Sequence, residues 1–327
     1  MLFFSKEGTA SPIGGENRTE LIQLHFQSFS FLPEMQLLIF LAFLLVYLLS
    51  LCGNATVALT VHSDRSLHTP MYFFLANLAV LEIFYSSVIA PFALVNLLSG
   101  RKATISLAGC GTQMFFFVFL GSADCILLAV MACDRYVAIC HPLHYTLIIN
   151  WTVCACLVSG SLVLGFLLAL QLTILLFHLP FCGTNEINHF YCDVLPVLRL
   201  ARADTQIHQA TVFVVSVIVL TIPFLIICIS YVFIVAAILK IRSAAGQHRA
   251  ISTCSSHLIV VLLQYGCCSF IYLQTSSSYS SEQGQAVSVI YIFVTPLLNP
   301  LIYSMRNKDL KDALGRALGR AMLFQRK

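Results

Sequence analysis

An acidic and a basic residue stand side by side at the end of one of the longest apolar stretches of the chain. Asp134 and Arg135 follow an apolar run that extends from Ile105 to Val130. Charged side chains in such a place must reach water or meet protein partners. We expect Asp134 to hold Arg135 in a local ion pair until another group competes for the guanidinium. The arrangement indicates a switch between two helix packings.

Two further acids, Glu82 and Asp124, lie inside apolar runs. An isolated charge at mid-membrane costs at least about 2.5–3.5 kcal/mol on insertion scales, so each carboxyl group requires a partner or a proton. One interpretation is two protonated acids that hydrogen-bond to Asn54, Ser122 or Asn299. The other is a shared sodium or proton site that favours an inactive state. The sequence leaves both interpretations open.

The other reactive residue types form no catalytic or metal-binding pattern. Thirteen cysteines and ten histidines show neither the spacing of a nucleophile with its base nor four ligands at zinc spacing. Most cysteines lie in apolar runs and are interpreted as small core residues. We therefore expect no enzymatic activity, and no cofactor apart from the sodium ion considered above.

These residues must be positioned by a chain that is too apolar for a soluble domain. It is 59% hydrophobic and only 10% charged, with a mean hydropathy of +0.89, whereas soluble domains carry about 25% charged residues. Seven apolar runs each exceed or approach the roughly 20 residues of a spanning helix. Their length and the lack of alternation favour helices over strands. The predicted fold is an all-α seven-helix membrane bundle over 37–304, with helices near 37–61, 70–95, 106–140, 151–172, 208–240, 249–274 and 285–304.

Lysine and arginine residues determine the expected orientation of this bundle. The connections after the first, third and fifth runs, together with the C-terminal segment, carry twice as many of them as the opposite side. That side should be cytoplasmic. Residues 1–36 then form an extracellular tail, in which Asn17 begins a glycosylation acceptor sequence. The formal charge of +4 is interpreted as membrane topology, and no nucleic-acid partner is expected.

The segment 305–327 has the pattern of a short amphipathic eighth helix. Apolar residues recur there at helical spacing among lysines and arginines, which is typical of a helix that lies on the inner membrane face. They are Leu310, Ala313, Leu314, Ala317 and Leu318.

The motif around Asp134 is similar to that of a known family. Residues 131–145 read MACDRYVAICHPLHY. Asp-Arg-Tyr resembles rhodopsin-like G-protein-coupled receptors, and the longer string resembles odorant receptors of the larger, tetrapod-type class. The segments LHTPMY at 67–72, AISTCSSHL at 250–258 and PLLNPLIY at 296–303 agree with that resemblance.

The resemblance implies a plasma-membrane odorant receptor. Such a protein binds a small, mostly apolar volatile molecule within the bundle, activates an olfactory-type stimulatory G protein and raises cyclic AMP. The alternative is a rhodopsin-like receptor for a small apolar ligand that acts outside olfactory tissue. A transporter would be expected to show repeated halves with interrupted helices, and the sequence has no such symmetry.

The resemblance also assigns the residues of the switch. Pro300 frees a backbone carbonyl in the preceding turn, and Asn299 is expected to bond the exposed groups, which makes a hinge. Tyr303 is then expected to swing towards Arg135 or Tyr231 when the helix shifts. His257 is either a structural tie or part of G-protein coupling, and analogy favours coupling. The assigned residues are Asp134, Arg135, Tyr136, Tyr231, His257, Asn299, Pro300 and Tyr303.

Family resemblance further implies a disulfide between Cys110 and Cys192, consistent with an oxidising exterior. Odorant receptors usually carry a third loop cysteine, but this chain has Arg202 at that position. Cys182 is therefore expected to be an unpaired thiol or to compete for Cys110.

By the same alignment, an apolar ligand cavity lies in the outer half of the bundle, and Glu82 and Asp124 face each other below it. Such a lining suits a small apolar molecule, with a few hydroxyl groups for orientation. The expected wall residues are Phe117, Val118, Gly121, Ser122, Val215, Val219, Ile222, Tyr265, Cys268, Tyr272, Tyr291, Ile292 and Thr295.

Overall fold

Seven long apolar helices dominate the chain. The computed structural model describes residues 23–26, 33–99, 103–181, 185–201, 205–273, 281–307 and 309–316. Within these residues, seven helices are long and apolar enough to cross a membrane, which confirms the predicted bundle. They are α1 (Pro33–Ser63), α2 (Pro70–Ser99), α3 (Leu107–Cys140), α4 (Trp151–Phe177), α5 (Gln206–Leu239), α6 (Ala244–Tyr272) and α7, which runs through Ser281–Val289, Ile290–Val294 and Thr295–Arg306.

Local sequence signals explain where several helices begin. The side chains of Ser106 and Asn150 accept hydrogen bonds from the backbone N–H groups of Gly109 at 3.1 Å and Val153 at 3.0 Å. They thereby cap α3 and α4, whose first N–H groups have no partner within the helix. Pro70 opens α2, where its missing N–H costs nothing.

A short eighth helix, α8, covers residues 309–316. Its predicted apolar face points into the protein, since Leu310 and Ala313 are almost completely buried. Ala317 and Leu318 lie outside the described residues.

A small three-stranded sheet, which was not predicted, lies where α3 begins. β1 (Gln23–Phe26) pairs antiparallel with β2 (Thr104–Ser106) and parallel with β3 (Glu186–Ile187). Strands of two to four residues are too short to leave an alternating pattern in the sequence. We call this end of the bundle, which also holds Cys110, the disulfide end, and the opposite end the Arg135 end.

Two of the spanning helices contain a π-helical turn. These turns are Val217–Thr221 in α5 and Ile290–Val294 in α7. A π turn admits an extra residue, so the side chains on either side of it no longer follow one helical phase. Each turn precedes a proline, Pro223 or Pro296, whose ring nitrogen has no hydrogen to donate.

Helix α3 is the centre of the bundle, since it packs against α2, α4, α5 and α6. Its contact with α4 is the closest, and it depends on Gly165. A Cβ atom placed on Gly165 would lie 2.9 Å from the carbonyl oxygen of Phe119 and 3.1 Å from the backbone nitrogen of Ala123. Backbone atoms of α3 cannot move aside singly, so only glycine permits this approach.

We therefore expect Gly165→Ala to force α4 away from α3. Overpacking of this kind costs about 1–3 kcal/mol. The melting temperature of the detergent-solubilised protein should fall. Gly160→Ala, on the same helix, is the control because nothing lies within 4 Å of its added Cβ. Equal melting temperatures for the two variants would contradict the close α3–α4 contact.

Candidate functional site

A cavity of about 70 Å³ lies between α3, α5, α6 and α7, below the loop that follows α4. Its walls are mostly apolar, and side chains from well-separated parts of the sequence converge on it. The predicted wall residues that line it are Phe117, Val118, Gly121, Ser122, Val215, Val219, Cys268, Tyr272 and Tyr291.

Four predicted wall residues are not among those that line this cavity: Ile222, Tyr265, Ile292 and Thr295. Ile222 is 48% exposed on the outside of the bundle. The hydroxyl of Tyr265 donates to the carbonyl oxygen of Cys125 at 2.7 Å, within the α3–α6 interface. Ile222, Ile292 and Thr295 lie in or directly after a π turn, which explains why an unbroken helical phase misplaced them.

Six lining residues were missed by sequence reasoning: Cys125, Leu172, Val194, Val212, Ser216 and Leu220. The sequence did carry a signal for Val212 and Ser216. Together with the predicted residues Val215 and Val219, they recur at the spacing of one helix face. Leu172 on α4 and Val194 in the loop left no comparable signal.

The predicted disulfide between Cys110 and Cys192 is present and holds the loop against α3. Gln113 strengthens this connection on the same helix. Its side-chain oxygen accepts from the backbone N–H of Cys192 at 3.0 Å, and its Nε2 donates to the carbonyl oxygen of Val88 on α2 at 3.1 Å. The loop is thereby fixed over the cavity. Asn17, Cys182 and Arg202 lie outside the described residues.

Two titratable loop residues are buried beside the cavity. Asp193 accepts hydrogen bonds from the hydroxyl of Tyr272 and from the backbone N–H of Val194, both at 2.7 Å. Burial nevertheless raises the pKa of Asp193 to about 6. Burial lowers the pKa of His189 to about 3, so this imidazole is neutral at physiological pH.

Three side chains of α6 form buried hydrogen bonds to α3, and we call this set the polar seam. It consists of His257, Gln264 and Tyr265. The Nε2 atom of His257 lies 3.1 Å from the carbonyl oxygen of Leu128, Nε2 of Gln264 donates to Oδ2 of Asp124 at 2.5 Å, and Tyr265 bonds to α3 as described above. The seam lies directly below the cavity.

His257 also connects the seam to α5. Its Nδ1 atom is 2.9 Å from the hydroxyl of Tyr231, which lies 3.1 Å from the carbonyl oxygen of Cys254. The imidazole is fully buried. In this packing His257 is a structural tie between three helices, which was the interpretation that analogy did not favour.

The two buried acids have different partners. Glu82 accepts a hydrogen bond from Nδ2 of Asn299, as one of the sequence interpretations expected. The partner of Asp124 is Gln264, which sequence reasoning missed. In the described part of the chain, Oδ1 of Asp124 and Oδ1 of Asn299 are buried without a hydrogen-bond partner.

No metal ligand cluster accompanies these acids. No group of three or more His, Cys, Asp or Glu side chains within the described ranges is arranged to hold a metal ion.

The expected ion pair between Asp134 and Arg135 is not formed in this structure, among the residues it describes. Oδ1 of Asp134 instead accepts a hydrogen bond from the hydroxyl of Tyr145 at 2.8 Å. Nη1 of Arg135 lies 3.9 Å from the sulfur of Met71, and its Nε is buried without a hydrogen-bond partner among the described residues. The prediction failed because the turn after α3 brings Tyr145 back onto Asp134. Tyr136 is partly buried against Phe233 of α5, with its hydroxyl 3.2 Å from Nε2 of His141.

At the hinge in α7, the carbonyl group that Pro300 leaves without a donor receives its hydrogen bond from α1 and not from Asn299. Because Pro300 has no N–H, the carbonyl oxygen of Pro296 lacks its helical donor. Nδ2 of Asn54 supplies that donor at 2.9 Å. Gly53 allows the approach, since a Cβ there would lie 3.0 Å from Cγ of Pro300. The expected bond from Asn299 to this carbonyl is therefore wrong.

Tyr303 follows this hinge and is buried. Its hydroxyl has no hydrogen-bond partner among the described residues. Among these residues, no hydrogen bond of the hydroxyl would have to break in the predicted swing, which stays a prediction.

Helix α8 is tied to the turn between α1 and α2. Arg316 forms an ion pair with Asp64, with Nη2 and Oδ2 2.8 Å apart. Hydrogen bonds from Ser66 and from Arg316 lower the pKa of Asp64 to about 2. Because the side chain of Arg316 is largely solvent-exposed and that of Asp64 partly so, we expect this pair to orient α8 more than to stabilise the fold.

Seven spanning helices with an apolar cavity near one end and an Asp-Arg-Tyr sequence near the other define a rhodopsin-like G-protein-coupled receptor. The family model described as "Olfactory receptor" matches residues 43–321. The chain belongs to the olfactory receptor family. As a member, it is a multi-pass membrane receptor and not an enzyme.

Individual relatives match almost the entire chain. Human "Olfactory receptor 10V1" is 65% identical over 304 residues, which cover 93% of this chain and 98% of the relative. Human "Olfactory receptor 10Q1" is 59% identical, over 92% and 95% of the two chains. Mouse "Olfactory receptor 10J5" is 49% identical, over 93% and 98%.

The raised pKa of Asp193 predicts a pH-dependent effect of Asp193→Asn. Below about pH 4, the carboxyl group is protonated in both the folded and the unfolded chain. Between about pH 4 and 6 only the unfolded chain loses this proton, so the native protein loses stability as the pH rises. Asparagine does not ionise. The variant's melting temperature, relative to the natural protein, should therefore climb from pH 4 to 6 and stay level above it. An offset that is constant over this range would show that Asp193 ionises normally.

Proposed function

We propose that this receptor binds small, mostly apolar volatile molecules in the described cavity and activates an olfactory-type stimulatory G protein, which raises cyclic AMP. The observation that supports this proposal most directly is the contact between cavity and polar seam. Cys125 lines the cavity with its side chain, while its carbonyl oxygen accepts from Tyr265 of the seam. No cofactor is required by this function.

The size of the cavity indicates how a ligand would act. An engineered protein cavity of about 150 Å³ accommodates benzene, whereas this one measures about 70 Å³. An odorant therefore has to displace the walls that α5, α6 and α7 provide. Displacement of α6 strains the polar seam, which gives the ligand a higher affinity for the packing in which α6 has moved away from α3.

The same displacement would open the Arg135 end. With α6 moved, Arg135 becomes accessible to a G protein, and no ion pair to Asp134 has to be broken. A complete shift from 1:99 to 99:1 requires about 5.5 kcal/mol of differential affinity, so a weak ligand should act as a partial agonist. We assign this switch to Asp134, Arg135, Tyr136, Tyr231, His257, Asn299, Pro300 and Tyr303.

We propose that the disulfide end faces the exterior of the cell and the Arg135 end the cytoplasm. The distribution of lysine and arginine supports this orientation, and the Cys110–Cys192 disulfide suits an oxidising compartment. Residues 1–36 are then extracellular and 305–327 cytoplasmic, in the plasma membrane.

Glu82 and Asp124 carry either protons or a shared sodium ion. Each has an amide donor but, among the described residues, no basic partner within ion-pair distance. Basal signalling of Glu82→Gln and Asp124→Asn, measured with and without sodium, decides between them. Sodium that changes the basal signal of the natural receptor but not of the variants supports the ion.

A larger side chain in the cavity wall should weaken ligand binding. Val215 lines the cavity, whereas its neighbour Val214 is 54% exposed on the outside of α5. A panel of odorants in a cyclic AMP reporter cell first identifies an agonist. Val215→Phe should then raise the EC50 of this agonist by tenfold or more. The reason is that even one extra methylene group in a binding pocket costs about 1–3 kcal/mol, and phenylalanine adds more than that. Val214→Phe is the control. If both variants respond like the natural receptor, the ligand binds elsewhere.

Arg135→Ala should separate binding from signalling. The variant removes the cation that the G protein is proposed to contact but leaves the cavity intact. We expect the cyclic AMP response to fall to the level of untransfected cells, at a surface density matched by an N-terminal epitope tag. A normal response from a receptor that reaches the surface would rule out this role of Arg135.

A further inference from the structure

Gln264 is the member of the polar seam whose side chain hydrogen-bonds to a side chain that lines the cavity. Its side chain is only 3% exposed. Nε2 donates to Oδ2 of Asp124 on α3 at 2.5 Å and lies 3.4 Å from the hydroxyl oxygen of Tyr291 on α7. Tyr291 lines the cavity and Asp124 does not. One amide nitrogen therefore connects the ligand cavity with a buried acid through three helices.

The other two seam residues lack this connection. His257 and Tyr265 bond to backbone carbonyl oxygens of α3. The hydroxyl next to His257 belongs to Tyr231, which is not among the residues that line the cavity. Gln264 bonds to side chains on both sides, and side chains can rotate away. A ligand that moves Tyr291 consequently acts on Gln264 first.

Asp124 depends on this amide. Its second oxygen, Oδ1, is buried without a hydrogen-bond partner among the described residues. In a surrounding of low polarity, an unsatisfied carboxyl oxygen is costly, so the remaining bond is worth more than one at a wet surface. Loss of the Gln264 bond would leave Asp124 without any hydrogen-bond donor from the part of the chain that the structure describes.

We propose that Gln264 is a positioning residue that couples Tyr291 in the ligand cavity to the α3–α6 contact at Asp124. A ligand that displaces Tyr291 draws Gln264 away from Asp124 and thereby weakens the hold of α3 on α6. This inference rests on the proposed function, since it takes the cavity as the odorant site. It assigns the coupling to a residue that no feature of the sequence singled out.

The test compares four receptors at matched surface density: the natural chain, Gln264→Met, the exchange variant Asp124→Asn/Gln264→Glu, and Asn77→Leu. Methionine has a similar length but no N–H group. The exchange variant keeps one carboxyl group and one amide across the same gap with their positions reversed. Asn77→Leu is the control, because that amide donates within its own helix, to the carbonyl oxygen of Phe73 at 2.8 Å.

We expect Gln264→Met to raise basal cyclic AMP signalling by about three- to tenfold, the effect of one hydrogen bond inside a membrane protein. The exchange variant should return the basal signal to near the natural level, which a merely space-filling role of Gln264 would not produce. The agonist EC50 should fall in Gln264→Met, since the ligand no longer has to break the bond. Asn77→Leu should change neither quantity.

A natural basal signal and EC50 in Gln264→Met would overturn the proposal, and so would an exchange variant that behaves like Gln264→Met. If Gln264→Met does not reach the surface, Gln264→Asn replaces it, because its shorter amide cannot span the gap. Failure of the proposed function looks different: no odorant would activate the natural receptor, while the comparison of basal signals would still stand.

Discussion

The hydrogen bonds between α6 and α3 are the interaction on which the resting packing depends. Each of three buried α6 side chains makes a hydrogen bond to an oxygen atom of α3. They are His257, Gln264 and Tyr265. Lipid supplies no hydrophobic force between two apolar helices, so polar contacts and close packing must hold them together. Hydrogen bonds inside membrane proteins contribute about 0.6 kcal/mol on average and at most about 1.7. The seam is therefore worth a few kcal/mol, which one bound ligand can offset.

The rest of the bundle divides into a fixed and a movable part around this seam. Helix α4 is held against α3 by the close approach at Gly165, and the loop over the cavity is held by the disulfide and by Gln113. In α5 and α7, π turns and prolines interrupt the regular backbone beside the cavity. The walls with an interrupted backbone are thus those that the proposed ligand would have to displace, and α6 lies between them.

Much of the fold could be predicted, because membrane insertion demands long apolar helices and leaves them visible in the sequence. The disulfide and most of the cavity wall followed from family resemblance. The predictions that were wrong failed because of local features of the backbone. π turns shifted the helical phase at Ile222 and Ile292, and the return of the chain after α3 gave Asp134 a tyrosine partner. Gln264 was missed because one neutral amide in an apolar run predicts no particular partner.

The distance between α3 and α6 at the Arg135 end tests the account most directly. Spin labels introduced as unnatural amino acids at Leu143, after α3, and at Ile251, on α6, would occupy exposed positions. Pulsed electron resonance should then show a longer distance when an activating odorant is added, and a similar shift without odorant when Gln264 is replaced by methionine. An unchanged distance in a receptor that signals fully in response to the same odorant would contradict the central role of the polar seam.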